Sequence, residues 1–559
     1  MPKFPQKLLN KTESPTPVKK PVKQQKPKKQ TTKGSTIEEK STAKIEINEY
    51  FKKALRLMEN TDKVLFVTGK AGTGKSTLLQ YFRGVTGKNV AVVAPTGVAA
   101  LNVKGQTIHS FLHFPPHITK EKIREKEPSK KLIELLKHID TIVIDEVSMV
   151  RADLLDCVDE ALKFYLKNNK PFGGVQMIFI GDLYQLPPVV SGRDEKEMFQ
   201  TYYKSPYFFD AKILENIGME MIELEKIYRQ KDPEFIELLN KIRNSSIQDS
   251  DIRKLNSRHN ADFDDCNSGE EFRITLTTTN AAADSLNNKK LSQLKTETKK
   301  YRGNITGEFD NKHLPTSLEL DLKVGAQMML LNNDSAGRWV NGSIGKIIDI
   351  KLNEESGEDY LVVELQNGEM VNVSRNTWEI FRYIYDKNLG KLDAEIIGSF
   401  TQYPVRLAWA VTIHKSQGKT FENVAVDIGN GAFVQGQVYV AISRCTSFEG
   451  LILKKPIYKK HIWIDYHITR FLTRFQYEIS EKEMPLNEKI DRIKSAIKKG
   501  EKLEIVYLKA DDTKSSREIK PSYVGDMQYL NKTFLGIEAY CSKRKEMRHF
   551  RVDRILCIK

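Results

Sequence analysis

The residues Gly69 to Ser76 fit the pattern G-x-x-x-x-G-K-[ST] without a mismatch. Apolar β-prone residues precede them and an apolar helix start follows, which is the strand–loop–helix context that this phosphate-binding loop requires. Glycines let backbone N–H groups point at phosphate oxygens, and the helix N-terminus adds partial positive charge. We predict that Lys75 reaches the β- and γ-phosphates of a nucleotide and that Ser76 ligates Mg²⁺. The predicted nucleotide-binding residues are Gly69, Ala71, Gly72, Thr73, Gly74, Lys75, Ser76 and Thr77.

Two adjacent carboxylates, Asp145 and Glu146, follow a second apolar strand predicted at residues 141–144. Burial of such a pair is costly unless the carboxylates are paired or bind a metal, so a purely structural role is disfavoured. We predict that Asp145 holds Mg²⁺ through water and that Glu146 polarises the attacking water. A third apolar strand ends before Asp182 and Gln185, and the Gln185 amide can sense phosphate as a donor or orient water as an acceptor.

Polar loops at the ends of predicted strands carry candidate contacts to a nucleic acid. One apolar strand ends in Pro95, Thr96 and Gly97, and Thr107 and His109 follow shortly after. Ligands bind at the carboxyl ends of parallel strands, and a hydroxyl, an imidazole and a nearby aromatic ring suit a nucleic-acid backbone and a base. A packed turn in the core is the alternative for the segment that contains Thr107 and His109.

Length and charge indicate how the chain is organised. A chain of 559 residues is expected to form three or four domains, and its net charge of +16 indicates a polyanionic partner. Residues 1–44 hold twelve lysines against three glutamates, so we predict a disordered basic tail, either an arm for nucleic acid or a solvated leader. No apolar run is long enough for a membrane span, and five scattered cysteines argue against disulfide or zinc frameworks.

The chain changes character between residues 297 and 400, where short β-prone segments alternate with turn signals. We predict a small β-barrel inserted into an α/β domain. Within it, Trp339 either stacks on nucleic acid or fills the core, and Asn341 is a second candidate contact. After the insertion one loop combines Thr412, His414 and Lys415, and a hydroxyl, an imidazole and an ammonium together suit phosphate contacts.

The motifs occur in an order that resembles one family. Gly-Asp-x-x-Gln-Leu-Pro-Pro at residues 181–188 follows the Gly-Thr-Gly-Lys-Ser and Asp-Glu-Val-Ser-Met segments, and the set resembles superfamily 1B DNA helicases, above all the Pif (petite integration frequency) family. Residues 227–230, 409–420 and 437–446 are similar to helicase motifs IV, V and VI. The resemblance implies that Arg229 and Arg444 reach the γ-phosphate across a cleft, with Arg444 as the arginine finger. The adenine-binding glutamine that this family often carries has no clear equivalent, since residues 48–51 read Asn-Glu-Tyr-Phe.

The C-terminal residues 501–559 form a basic β-rich segment that resembles a WYL domain. Residues 515–521, 539–541 and 548–555 carry the resemblance, although the position that names the family reads Leu-Gly-Ile at residues 535–537. WYL domains resemble Sm-like barrels that bind nucleic acid or nucleotide ligands. We predict a phosphate-binding face here, with a role in stability alone as the alternative. The residues of this face are Arg517, Arg548, Arg551 and Arg554.

The predicted fold class is α/β, with two RecA-like P-loop domains, an inserted small β-barrel and a C-terminal β-rich (WYL/Sm-like) domain. The predicted segments after the tail are the first RecA-like domain at 45–215 with a small insertion at about 114–138, the second RecA-like domain at 216–296 and 401–465, the β-barrel at 297–400, a helical linker at 466–500 and the WYL-like domain at 501–559.

The resemblance implies an ATP-dependent DNA helicase that uses ATP and Mg²⁺, translocates 5′→3′ on single-stranded DNA and unwinds duplex or forked DNA in replication, repair or recombination. We expect a monomer in the bacterial cytoplasm, associated with the nucleoid and not with a membrane. ATP is expected to close the cleft, and the excursion at 114–138 to act as the wedge between strands. Three alternatives stay open: a RecD-like subunit of a recombination complex that hydrolyses ATP only with partners, a DNA-binding regulator, and an RNA helicase of the same superfamily.

Overall fold

The computed structural model describes residues 48–559, apart from 126, 191, 261–271, 310–313, 387–389, 430, 432–433, 510–513 and 530–531. The basic tail predicted at residues 1–44 lies outside the described residues. None of the helices in the described ranges is both long and apolar enough to cross a lipid bilayer.

Helices and strands alternate in the first part of the described chain. They are α1 (Glu49–Asn60), β1 (Val64–Gly69), α2 (Lys75–Val85), β2 (Val90–Ala94), α3 (Gly97–Asn102), β3 (Gln106–Thr107), α4 (Ile108–Phe111), α5 (Lys120–Glu125), α6 (Lys130–Leu136), β4 (Thr141–Ile144), α7 (Ala152–Leu166), β5 (Gln176–Gly181), α8 (Gly192–Tyr202), α9 (Lys212–Glu215) and β6 (Met219–Leu224). The six strands form one parallel sheet in the order β3-β2-β4-β5-β1-β6. The central strands β1, β4 and β5 are buried along their whole length, as expected for a sheet with helices on both faces.

Strand β6 lies in this first sheet, because it pairs in parallel with β1 from Val64 opposite Met219 to Gly69 opposite Leu224. The domain boundary predicted at residue 216 is therefore wrong, and the first domain extends at least to the end of β6. The excursion predicted at 114–138 contains α5 and α6, which bury apolar side chains in the core of the domain.

The remaining elements complete the chain. They are α10 (Pro233–Arg243), α11 (Asp249–Asn256), β7 (Ile274–Thr277), α12 (Asn280–Gln293), β8 (Lys299–Arg302), β9 (Asn304–Gly307), β10 (Glu319–Leu322), β11 (Gln327–Leu330), β12 (Ile344–Leu352), β13 (Asp359–Leu365), β14 (Met370–Val373), β15 (Asn376–Asp386), β16 (Lys391–Gln402), β17 (Val405–Leu407), β18 (Ala410–Thr412), β19 (Val424–Asp427), α13 (Gln437–Ile442), β20 (Leu451–Leu453), α14 (Tyr466–Glu483), α15 (Leu486–Lys499), β21 (Leu503–Leu508), β22 (Lys514–Tyr529), β23 (Lys532–Cys541), β24 (Glu546–Arg551) and β25 (Ile555–Ile558).

A second parallel sheet, in the order β18-β7-β19-β20, joins strands from both sides of an antiparallel insertion. The insertion contains the sheets β14-β13-β12-β11-β17, β15-β16-β9 and β10-β8. Because β17 pairs with β11, the insertion extends to Leu407, beyond the predicted end at residue 400. The long hairpin of β15 and β16 reaches the first sheet, where the Tyr383 hydroxyl accepts a hydrogen bond from Val92 N at 3.1 Å.

The C-terminal strands form an antiparallel sheet in the order β24-β23-β22-β21-β25. Helix α15 packs Ile493 and Ala496 into the core of this sheet, whereas α14 packs against the first domain, with Phe471 stacked on Phe209 at 4.2 Å between ring centroids. Residues 466–500 are helical as predicted, but their predicted role as a linker is wrong, because both helices belong to packed cores. The predicted α/β fold class, with a β-rich insertion and a β-rich C-terminus, is confirmed.

Candidate active site

The order of the strands sorts the candidate residues along the carboxyl edge of the first sheet. The phosphate loop follows β1, Asp145 follows β4 and Asp182 follows β5, and these three strands are neighbours. Pro95 follows β2 and Thr107 ends β3, at the other end of the same edge. The candidate nucleotide and nucleic-acid contacts therefore lie in different halves of one edge.

The backbone of the phosphate loop requires glycine at two positions. Gly72 and Gly74 have φ angles of 78° and 87°, in the left-handed region that favours glycine. A Cβ on Gly72 would also lie 2.5 Å from the Cβ of Arg229. Gly74 caps α2, so the N–H groups of its first turn are free of helical partners and point at the loop.

Lys75 lies inside this loop and contacts its backbone. Its ammonium donates to Gly69 O at 2.7 Å and to Lys70 O at 3.0 Å. Burial lowers the pKa of Lys75, and the carboxylates of Asp182 and Glu146 oppose that shift. The side chain is thus held among acidic neighbours at the position where the sequence motif predicts phosphate binding.

Glu146 occupies a strained backbone position after β4. Its φ of 50° and ψ of 43° lie in the left-handed region, which a glutamate rarely adopts and which costs about 1 kcal/mol or more. Burial and then Asp145 raise the pKa of Glu146 to about 7, and burial also raises the pKa of Asp145. A carboxylate with a raised pKa is a better base toward water, and such strain is typical of functional sites.

A buried ion pair holds the loop that carries Gln185. Arg243, the last residue of α10, donates from Nη2 to Asp182 Oδ1 at 3.0 Å, and its guanidinium lies 3.9 Å from the centroid of the Tyr184 ring. The side chains of Arg243 and Asp182 are 6% and 0% exposed. Sequence reasoning missed Arg243, because a basic residue at the end of a helix is common on electrostatic grounds alone.

Gln417 connects the two parallel sheets at the candidate catalytic carboxylate. Its Nε2 donates to Glu146 Oε2 and to Gln185 Oε1, both at 3.1 Å. It lies in the loop after β18, which sequence reasoning assigned to phosphate contacts, so this role was also missed. One side chain after β18 thus touches both groups that are predicted to position water.

Arg229 and Arg444 meet beside the loops of the second sheet. Arg229 Nη2 donates to Gly418 O at 3.3 Å, and Arg444 Nη1 donates to the adjacent Lys419 O at 3.3 Å. Burial and then Arg229 lower the pKa of Arg444 to about 9. Two guanidinium groups buried near each other repel, and an anion between them would relieve that repulsion.

Two tyrosines also border the phosphate loop. The Tyr439 hydroxyl accepts from Ala71 N at 3.0 Å and so links α13 to the loop. Tyr228 is 44% exposed, its backbone N donates to Gly72 O at 2.9 Å, and Asn48 Nδ2 donates to its hydroxyl at 3.5 Å. An exposed aromatic ring beside a phosphate loop is a candidate platform for a base. Asn48 lies in the segment where the sequence shows no clear adenine contact.

The candidate nucleic-acid contacts of the first sheet lie at helix starts. Thr96 and Thr107 cap α3 and α4, and their side-chain oxygens accept backbone N–H groups at 3.3 and 3.1 Å. Pro95 and Gly97 flank the first of these caps. Burial lowers the pKa of His109, so its imidazole is neutral near pH 7 and can both donate and accept.

The loop after β18 provides the matching contacts on the second sheet. Thr412 Oγ1 accepts from Lys415 N at 3.3 Å, and the Lys415 side chain is exposed. Burial lowers the pKa of His414, as it does for His109. A neutral imidazole and an exposed ammonium therefore stand side by side, as phosphate contacts require.

Of the two predicted contacts in the insertion, the structure corrects that of Trp339, whereas that of Asn341 stays a prediction. Trp339 is 6% exposed and packs in the core of the insertion, where its indole N–H donates to Asn332 Oδ1 at 3.1 Å, so its ring is not accessible for stacking. The side chain of Asn341 accepts from the Lys419 ammonium and donates to Asn102 Oδ1 at 3.4 Å. Both polar atoms of Asn341 are thus engaged by protein.

The four arginines predicted to share a face in the C-terminal domain do not share one. Arg517 and Arg548 line one cavity of about 690 Å³. Arg551 pairs with Asp553 at 2.6 Å, and Arg554 donates to Lys509 O at 2.8 Å. Arg517 is 8% exposed and its Nε is buried with no hydrogen-bond partner, which leaves a donor for an anionic ligand.

Comparison with known proteins tests the resemblance read from the motifs. A family model described as PIF1-like helicase matches residues 44–253, a WYL domain model matches 488–559 and a helicase model matches 346–474. A Bdellovibrio bacteriovorus protein named ATP-dependent DNA helicase Pif1 is 31% identical over 420 residues, which cover 73% of this chain and 88% of that protein. This chain belongs to the Pif1 helicase family. The family resemblance and the WYL resemblance at the C-terminus are both confirmed.

Other Pif1 proteins show how far the similarity extends. An Emericella nidulans relative is 29% identical over 455 residues, which cover 72% of this chain, and the chain spans only 59% of that protein's length. The crystal structure of Bacteroides sp Pif1 in complex with ADP-AlF4 matches with a TM-score of 0.70 and 35% identity over 77% of this chain and 97% of that one. Bacteroides Pif1 bound to ssDNA matches with a TM-score of 0.54 and 36% identity over 76% and 96%.

Proposed function

We propose that this chain is an ATP-driven motor that translocates on single-stranded DNA and unwinds duplex DNA. The contact of Gln417 with Glu146 and Gln185 carries the proposal, because it brings a loop of the second sheet to the residues proposed to position water. The relative position of the two sheets then determines whether the hydrolytic site is complete. Hydrolysis is thereby linked to opening and closing of the cleft, which is what a motor requires.

The residues of the cleft suit ATP and Mg²⁺. The Ser76 hydroxyl and the Asp145 carboxylate are the oxygen donors that Mg²⁺ prefers, directly and through water, and bound Mg²⁺ neutralises charge on the phosphate oxygens. Lys75 and the loop N–H groups bind the phosphates, and Glu146 polarises water that Gln185 and Gln417 orient. Arg229 and Arg444 stabilise the γ-phosphoryl charge.

A second set of residues holds the base of the nucleotide in this proposal. The exposed Tyr228 ring stacks on adenine, and Asn48, which already donates to the Tyr228 hydroxyl, contacts the base edge. This assignment supplies the adenine contact for which the sequence offers no glutamine.

A DNA strand lies across the two sheets in this proposal, on the loops after β2, β3 and β18. The structure of Bacteroides Pif1 bound to ssDNA supports single-stranded DNA as the track. Its contact residues are Pro95, Thr96, Gly97, Thr107, His109, Thr412, His414 and Lys415. The C-terminal cavity with Arg517 and Arg548 is proposed as a second phosphate contact. The 5′→3′ polarity, the wedge role of 114–138, the bacterial cytoplasmic location and a monomeric state are further parts of the proposal.

The test is strand displacement on two partial duplexes, one with a 5′ single-stranded tail and one with a 3′ tail, with ATP and Mg²⁺. We expect unwinding with the 5′ tail only, and its loss in Lys75→Ala. Unwinding of neither duplex by the wild type, despite DNA-stimulated hydrolysis, contradicts the helicase proposal for the isolated chain. An equal rate on matched RNA tails favours an RNA helicase instead.

A further inference from the structure

The turn at residues 338–342 of the insertion contacts the loop after β18. The Lys419 ammonium donates to Asn341 Oδ1, and a Cβ on the neighbouring Gly342 would lie 3.4 Å from the Cβ of Lys419. The other end of the Asn341 amide donates to Asn102 Oδ1 at the end of α3. One side chain of the insertion therefore contacts both parts of the motor.

This turn is fixed to the insertion. Trp339 is buried in the core beneath it, with its indole N–H on Asn332, and Asn341 N donates to Asn333 Oδ1 at 2.8 Å. Arg338 pairs with Asp334 at 2.8 Å. Asn341 must consequently move with the insertion as one body.

The other end of the contact is the peptide segment that holds the two arginines. Gly418 O accepts from Arg229 Nη2 and Lys419 O accepts from Arg444 Nη1, both at 3.3 Å. A displacement of Lys419 moves these carbonyl groups and so changes one hydrogen bond on each guanidinium group. The link from insertion to arginine pair spans two consecutive residues.

The Lys419 ammonium is largely removed from water, so its hydrogen bond to Asn341 Oδ1 is important. Burial lowers the pKa of Lys419 to about 8, and Arg406 adds to that shift. The charged group that acts on the Lys419 ammonium is therefore another cation, Arg406, and Asn341 Oδ1 supplies the hydrogen-bond acceptor. Loss of that acceptor leaves a desolvated charge, and the loop is expected to rearrange to return it to water.

We propose that Lys419 and Asn341 are positioning residues that couple the orientation of the insertion to the Arg229–Arg444 pair. The inference rests on the proposed ATPase function. When the insertion contacts the loop after β18, the hydrogen bond between Lys419 and Asn341 holds residues 418–419 in place, and both arginines are aligned for the γ-phosphate. When the insertion turns away, the arginines lose their hydrogen bonds to residues 418 and 419 and keep only those to Val440 and Ser443, so hydrolysis responds to what the insertion binds. The nucleotide itself is bound by the phosphate loop, which the link does not touch.

The test compares Lys419→Met, Asn341→Leu and the double variant, with Lys346→Met as the matched control on an exposed lysine of the same insertion. The readouts are kcat and KM for ATP with saturating single-stranded DNA. We expect each single variant to lower kcat about tenfold with KM within about twofold, since a charged hydrogen bond is lost. The kcat of the double variant should be no lower than that of the less active single variant, because both changes break the same link. Asn341→Asp keeps an acceptor and should retain kcat within about twofold.

Three results would overturn the inference. The first is a double variant whose loss of kcat equals the product of the two single losses. The others are an equal loss of kcat in Lys346→Met and a rise in KM as large as the loss of kcat. A wild type without DNA-stimulated turnover contradicts the proposed function instead. In that case amide hydrogen exchange still tests whether the Lys419–Asn341 contact holds the loop in place, because this measurement does not require catalysis. Asn341→Leu should speed exchange in residues 416–420, and unchanged exchange there overturns the coupling.

Discussion

Two sets of arginines in this chain behave in opposite ways. Arg229 and Arg444 come from distant segments and meet on consecutive carbonyl groups of one loop. Arg517, Arg548, Arg551 and Arg554 come from one small C-terminal domain and do not share one site, since the first two line a cavity that the other two do not. Closeness in sequence is therefore a poor guide to which charges act together.

The difference has a simple geometric cause. Arg548 and Arg551 are three residues apart in β24, and side chains three apart on a strand point to opposite faces of a sheet. Arg229 follows β6 of the first sheet and Arg444 follows α13 beside the second sheet, and they come together because both donate to carbonyl groups of the loop after β18. In the C-terminal sheet the strand period places Arg548 and Arg551 on opposite faces, whereas at the candidate active site the tertiary fold brings together residues that are far apart in sequence.

The largest expected effect is on the arginine pair. Arg444→Ala should lower kcat for DNA-stimulated ATP hydrolysis about 10³-fold, because it removes charge opposite the γ-phosphoryl. Adding Arg229→Ala should cost much less than a second factor of that size, since both arginines act on one group. Steady-state ATPase rates measure both effects, and Arg492→Ala on the exposed side of α15 is the control. Fully multiplicative losses would contradict a shared site.

The next largest effect concerns Glu146, the proposed general base. Glu146→Gln should lower kcat about 10²- to 10³-fold while single-stranded DNA binding is kept, because the amide cannot accept a proton from the attacking water. ATPase assays and fluorescence anisotropy on labelled DNA measure the two properties. Turnover within about tenfold of the wild type would show that another group acts as the base.

A smaller effect is expected for the residue that joins the sheets. Gln417→Ala should lower kcat about tenfold with KM for ATP nearly unchanged, since it removes two hydrogen bonds on the water-positioning groups and none on the phosphate loop. Initial rates over a range of ATP concentrations separate the two parameters. A change confined to KM would place Gln417 in nucleotide binding.

The smallest effect tests the C-terminal sheet. Arg548→Ala should weaken DNA binding and reduce the slope of log affinity against log salt by about 1, because it removes one phosphate contact. Arg551→Ala, three residues away on the same strand, should leave the slope unchanged. Titrations at several salt concentrations measure the slope. Equal effects of the two variants would mean that the DNA wraps around both faces of the sheet.

Much of the catalytic edge can be predicted from sequence because its signals are local. An apolar run followed by a polar pair, as at Asp145 and Glu146, needs only neighbouring residues to be recognised, and the strands predicted before these motifs are present. Gln417 and Arg243 were missed for the opposite reason: each acts through partners more than 60 residues away, at Glu146 and Asp182. The strand β6 was assigned to the wrong domain because its partner β1 lies far away in sequence.

Whether a single residue is buried or exposed also depends on partners that are distant in sequence. The sequence left Trp339 open between stacking and core, and the packing of the insertion places it in the core, because the turn around it closes over the indole. Asn341 is polar and lies in a turn, which suits a nucleic-acid contact, yet Lys419 and Asn102 already engage its amide. Neither outcome is encoded in residues adjacent to the position.

The sequence by itself determined the phosphate loop, the acidic pair, the order of the motifs and the family, because these depend on residue type and on spacing along the chain. The tertiary structure alone decided which distant side chains share a charge environment, which strands share a sheet and which polar atoms remain for a ligand. The physical reason is that local backbone preferences act over a few residues, whereas electrostatic fields, packing and desolvation act between surfaces that only the completed fold brings together.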